Sequence, residues 1–199
     1  MHGEFPAADR ISCRCLWNSV GRPKAAASPV LEQMILGARR GWDAGCTVVR
    51  VLGAPSDAVA AFLRFLYRYP GARGTAAEEE WAEGAVGAHG AALLALAHAY
   101  RVPWLKRRAE AGVAARLTAE RAVDALKLAA LCDAPRLYLA CARLAGKDLA
   151  AVERSEGWRF AARHDAALLG ELLQLLHDAD QVRASPRLRR PAVTTLIFG

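Results

Sequence analysis

The stretch that decides the fold is ALAHAYRVPWLKRRAE, residues 95–110. Leu93, Leu96 and Tyr100 lead into it at helical spacing, which predicts one helix. Val102-Pro103 must break that helix, because proline has no N–H to donate and clashes with the preceding turn. Trp104-Leu105 then opens a second helix. His98 lies two residues past Leu96 and two before Tyr100, off the apolar stripe, so it is expected at a rim rather than in a reaction centre. A general base needs a nucleophile and an orienting group, and the sequence nominates neither. The unit is a helix, a turn and a helix that pack.

The same logic runs outward. SPVLEQMIL (28–36) predicts a short helix with Ser28 as N-cap and Pro29 at the first helical position. Gly37 is expected to end it. CTVVRVLG (46–53) is short and β-branched and predicts a strand. APSDAVAAFLRFLYRYP follows, with Pro55, Ser56 and Asp57 as start signals, Val59, Phe62, Leu63 and Leu66 on one face, and Pro70 as the stop. Residues 70–90, rich in Gly, Ala and Glu, are expected to be an exposed linker. Residues 1–27 carry no clear period.

After Leu117 the pattern repeats in style, although no sequence repeat with a fixed period is present. Thr118 is the expected N-cap of AERAVDALKLAALCD, and Asp133 and Pro135 start PRLYLACARLAGKDLAAVE. SEGWRF interrupts, and AALLGELLQLLHDAD is the last amphipathic helix. From Val182 the chain is basic.

The 199 residues carry a net charge of +7, enough to form a core and basic enough to raise nucleic acid as a partner. The charge is patchy. Arg101, Lys106, Arg107 and Arg108 form one basic cluster, Arg183, Arg187, Arg189 and Arg190 another, and Glu78-Glu79-Glu80 with Glu83 an acidic one. Nucleic acid is therefore the less favoured partner. There is no basic-then-apolar leader at the start and no apolar run long enough to span a bilayer. Reduced thiols in the cytosol or nucleus are expected for the five cysteines.

Reaction chemistry does not assemble. Gly146-Lys147 lacks the glycine five residues earlier, where Cys141 stands, and Asp148 replaces the magnesium-binding Ser or Thr of a phosphate loop. Cys13 and Cys15 are too close for a tetrahedral zinc pair, and Cys132 and Cys141 lie inside helical patterns. No catalytic residue, metal ligand or cofactor is expected. Trp104 and Trp158 are read as core corners before stacking platforms.

VLGAPSDAVAAFLRFLY followed by ALLALAHAYRVPWLKRRAE resembles the second half of a BTB/POZ domain, and ASPVLEQMI is similar to the helix with that family's Ser-Pro-Val signature. LTAERAVDALKLAALCDAPRLYLACARLAGKDLAAVERSEGWRF resembles the helical BACK-type extension of ubiquitin-ligase adaptors, most of all at Ser155-Glu156-Gly157-Trp158. The combination is most like the plant BTB/POZ and TAZ domain family, over about residues 25–181.

The resemblance implies a mainly α (α+β) chain. Residues 1–24 stay unassigned. A partial BTB/POZ α/β unit spans 25–115, with the linker at 70–90 inside it. A BACK-like helical bundle spans 117–181, and a basic tail spans 182–199. It further implies a non-enzymatic adaptor of a cullin-type E3 ubiquitin ligase, in nucleus and cytoplasm, with transcriptional regulation as one setting. The family's first strands and its zinc-binding TAZ module have no counterpart in these residues. Self-association should be weakened accordingly, and a strand at 47–52 without hairpin partners would leave backbone groups unpaired. A competitor lacking those parts, and a basic module for nucleic acid or acidic surfaces, are the alternatives. The loop GARRGWDAG departs from the hydrophobic-x-Glu pattern many relatives use for cullin contact. The partner-contact candidates are Trp42, Asp43, Tyr67, Tyr69, Tyr100 and Trp104.

Overall fold

The computed structural model describes residues 10–12, 28–40, 48–51, 53–68 and 75–184. The architecture is mainly α, as expected. A short antiparallel ribbon joins β1 (Arg10–Ser12) to β2 (Val48–Arg50), with Ile11 opposite Val49. The strand read as lacking hairpin partners is paired, but with a distant segment across an intervening helix and not in a hairpin. The three residues of that segment are too few to show a period.

α1 (Pro29–Arg40) starts as its sequence dictates. Ser28 is buried, its Oγ accepts the Leu31 N–H at 3.2 Å, and the same hydroxyl donates to the Tyr100 carbonyl. One serine thus caps a helix and ties it to a distant turn. Gly37 does not end α1, which runs on to Arg40. A helix-interior glycine costs only about 1 kcal/mol, which the flanking turns absorb.

α2 (Ser56–Arg68) buries Phe62, Phe65 and Leu66 against α3 (Ala76–Ala99). Phe65 meets Trp81 at 4.9 Å between ring centroids, and Arg64 lies 3.8 Å over the same indole. The linker expected over 70–90 is, from Ala76 onward, the first half of α3. The Thr75 N–H donates to Glu78 Oε2 at 3.1 Å, and Ala82, Ala85 and Val86 are buried. Small residues that read as a linker serve as a close-packing face. α3 bends at His89, between Gly87 and Gly90 (φ −124°, ψ 17°).

α4 (Pro103–Ala115) folds back along α3. The two helices approach through glycines that receive valines. A Cβ on Gly112 would sit 2.0 Å from Val86 Cγ1, and one on Gly90 would sit 3.0 Å from Val113 Cγ2. Arg108 spans the pair to Glu79 at 2.6 Å.

A 3₁₀ turn (Ala119–Arg121) leads into α5 (Ala122–Leu131), then α6 (Pro135–Ala145). Here the structure repeats itself where the sequence hides it. The α3–α4 turn places Arg101 at φ 53° and the α5–α6 turn places Asp133 at φ 49°. Val102 N–H reaches the Ala97 carbonyl at 2.8 Å, and Ala134 N–H reaches that of Ala129 at 2.8 Å. Each is a left-handed helix stop closed by a bond across five residues, with proline beginning the next helix.

The two hairpins are bolted together by α4. The Glu110 carboxylate, 4% exposed, accepts the Arg136 N–H at 2.8 Å and the Leu137 N–H at 3.0 Å. Lys106 Nζ donates to the Asp133 carbonyl at 2.6 Å. One buried cluster runs from Leu31 to Leu172, so helices on both sides of residue 116 share a core.

PRLYLACARLAGKDLAAVE, read as one helix, is two. α6 stops at Gly146, and α7 (Leu149–Glu153) restarts where Asp148 accepts the Ala151 N–H at 3.0 Å. SEGWRF is a cap and a helix start: Ser155 Oγ accepts the Trp158 N–H at 3.1 Å and opens α8 (Glu156–His164). α9 (Ala166–Ala184) packs on α8 and α6 and takes in the first residues of the expected tail. Among the described residues no helix is long and apolar enough to cross a membrane.

Glu110→Ala strips two helix-start N–H groups of their acceptor and should cost about 2–3 kcal/mol, read as a fall in the urea midpoint. Gly112→Val should cost at least about 1–3 kcal/mol, with Val86→Ala recovering part of the loss in the double mutant. Burial pushes the Cys141 thiol up from 9.0 to about 12. That stabilisation is complete below pH 9, and it declines as pH rises toward 12, because only the unfolded thiol ionises in that window. Alkaline unfolding curves of Cys141→Ala should be flatter there than those of the parent chain.

Candidate protein-interaction surface

Three of the six residues nominated for partner contact, Tyr67, Tyr100 and Trp104, fall among the described residues. Tyr100 is 9% exposed, with its ring 5.5 Å from Phe62. Desolvation raises its phenol above the ordinary value, as expected of a core side chain. Tyr100 thus packs inward with Leu93 and Leu96, on the stripe that its spacing predicts. Trp104 is half-buried, 6.2 Å from Phe65, and Tyr67 is half-buried against the same cluster. Trp42, Asp43 and Tyr69 lie outside the described residues. His98 is exposed at the rim where its spacing puts it, and Trp158 packs against the core from the start of α8.

The basic cluster of residues 101–108 is also taken apart by the fold. Lys106 is spent on the Asp133 turn and Arg108 on Glu79, leaving Arg101 and Arg107 exposed. A cation already satisfied inside the protein has little to offer a phosphate.

Several hollows lie among the described residues. One, of about 280 Å³, lies among α3, α4 and α5, floored by Val86, Gly90 and Val113, with Arg116, Arg121 and Asp124 at its edge. Beside it a polar hollow of about 700 Å³ mixes Glu79 and Glu83 with Arg108 and Arg116. Mixed charge of this kind favours no one ligand sign.

The third, of about 670 Å³, runs between α6 and α9 and has an apolar floor of Leu139, Leu149, Leu175 and Leu176. Leu139 is 46% exposed and also borders a hollow of about 350 Å³ lined by Ala130, Pro135 and Tyr138. The sequence held the clue to Leu139. It stands two residues from the buried Leu137, and a two-residue step on a helix turns a side chain to the far face.

Among the described residues no group of three or more His, Cys, Asp or Glu could hold a metal ion. Cys132 and Cys141 are buried free thiols, and burial raises both above the ordinary thiol value. They behave as small core residues.

The chain is 40% identical over 169 residues to BTB/POZ and TAZ domain-containing protein 2 of Arabidopsis thaliana, covering 83% of this chain and 43% of that protein. It is 41% identical over 157 residues to protein 1 of the same name series, covering 78% of this chain and 40% of that one. Over 127 residues it is 36% identical to protein 5, covering 63% of this chain and 32% of that relative. No family model matches the chain. The chain spans about two fifths of the length of the first two relatives. Identity at this level, in the order of elements traced above, means that the chain belongs to the BTB/POZ and TAZ domain-containing family.

Proposed function

We propose that the chain is a substrate-recruiting adaptor of a cullin-type E3 ubiquitin ligase, acting by protein–protein contact in nucleus and cytoplasm, with transcriptional regulation as one setting. The observation that carries this reading is the 169-residue likeness to a BTB/POZ-named protein, which takes in both helical hairpins. The geometry supports it in a second way. Two hairpins locked into one body by Glu110 and Lys106 make a stiff bracket, and a bracket suits an adaptor whose task is to hold two proteins at a fixed separation. Such a protein does its work by geometry and binding energy and supplies no reacting group. The internal use of Lys106 and Arg108 weighs against a nucleic-acid role for the central basic cluster.

The test is co-purification of the full chain with a plant cullin of the BTB-binding class, followed by size exclusion with light scattering. A stoichiometric complex that survives raised salt is expected, since apolar contacts depend weakly on ionic strength. A well-folded chain that elutes apart from the cullin would overturn the reading. Binding to nucleic acid that falls steeply with salt would move the function to the basic residues.

A further inference from the structure

The groove between α6 and α9 has a floor and a rim of different character. The floor is aliphatic: Leu139 on α6 faces Leu175 and Leu176 on α9, with Leu149 closing one end. At that end the two helices pack closely, since a Cβ on Gly146 would lie 3.3 Å from Leu176 Cδ2. The α6 side of the rim carries Arg143 and Lys147 in the lining, with Arg136 further along the same outer stripe. All three are exposed, and none makes an ion pair among the described residues. Asp180 is the one carboxylate in the lining, and Glu171 lies near Tyr138, whose phenol it helps to raise.

A leucine held 46% open to water beside two half-buried leucines is unfavourable for a free chain and is relieved when an apolar partner covers it. The unpaired cations along one edge choose the sign of that partner. A volume of about 670 Å³ is within the range that accepts several bulky side chains and too narrow for a folded domain.

We infer that this groove docks an amphipathic acidic helix of a partner protein, with leucine-type anchors entering between α6 and α9 and carboxylates meeting Arg143 and Lys147. A helix fits because its anchors recur at i, i+3, i+4 and i+7, which presents a narrow apolar stripe flanked by charge. The aliphatic floor favours polypeptide over nucleic acid, whose strands are held by stacking aromatics and phosphate contacts. The inference does not rest on the reading above, because its test uses a peptide and no cullin.

The experiment is fluorescence anisotropy of the full chain with a labelled synthetic peptide of about 18 residues, long enough to form a helix on binding, carrying leucine at the stripe positions and glutamate beside them. The expected result is saturable binding that drops about tenfold or more with Leu139→Glu, and measurably with the milder Leu139→Ala. Arg143→Glu combined with Lys147→Glu should weaken the glutamate peptide and strengthen a lysine version of it. Leu131→Glu, at a leucine 69% exposed outside the groove, should change nothing. Circular dichroism of each variant confirms an unchanged helical fold. The inference is overturned if the parent chain fails to bind the peptide, if folded Leu139→Glu binds as well as the parent, or if the lysine peptide binds the parent equally. Displacement of the peptide by a single-stranded oligonucleotide would reassign the groove to nucleic acid and sink it as well.

Discussion

The arrangement of the helical half depends on one carboxylate. α6 begins at Ala134-Pro135, and neither residue can cap it: alanine has no acceptor and proline fills only the first helical position. The next two N–H groups, on Arg136 and Leu137, point into the protein, and Glu110 of α4 accepts both. The negative group also sits at the positive end of the helix dipole. A buried charge is tolerable only when its hydrogen bonds are filled, and here the requirement runs both ways. Glu110 needs those two donors as much as they need it, so α4 and α6 hold a single mutual position. The outward stripe of α6, from Arg136 through Leu139 to Arg143, takes its orientation from that bond pair.

What could be read beforehand was local. Ser28-Pro29, Val102-Pro103 and the Val59–Phe62–Leu66 spacing each settle a boundary or a face within one turn of themselves, and the structure follows them. The failures share the opposite cause. Glu110 reads as one more charge in a basic helix, since its partners lie 26 and 27 residues away. The alanines and glycines of residues 76–90 carry no strong pattern, because their role is to let another helix come close, and closeness depends on the neighbour. Gly37 was read as a stop, and the helix passes through it. Tyr100 was both on the apolar stripe with Leu93 and Leu96 and among the contact candidates, and its ring lies with the stripe, against Phe62. At the surface, Leu139 was legible in principle from its two-residue offset, but the groove needs α9 as its second wall, and no local pattern brings α9 there.

The charge distribution makes the same point for function. By composition the chain is a basic protein. In the fold, a share of that charge is internal fastening: Lys106 to a turn, Arg108 across a hairpin, and Lys127 to Asp165 at 3.1 Å between α5 and the start of α9. Net charge alone therefore overstates what is presented to a partner. What is presented is selective, a few free cations beside exposed leucines. Membership of the BTB/POZ and TAZ domain-containing family and a surface of this kind are compatible.

The twice-built turn has a consequence for how the chain is put together. The first turn, at Arg101, closes with its own backbone and is tied from outside by Ser28, which precedes it in the chain. The second, at Asp133, has the same internal bonds and is gripped from outside by Lys106, while the helix after it is capped from outside by Glu110. Both gripping residues belong to the helix that the first turn produces. During synthesis from the N-terminus, the residues of the earlier hairpin therefore emerge before the later turn and helix start that they hold. For these two hairpins, order of emergence and order of dependence coincide.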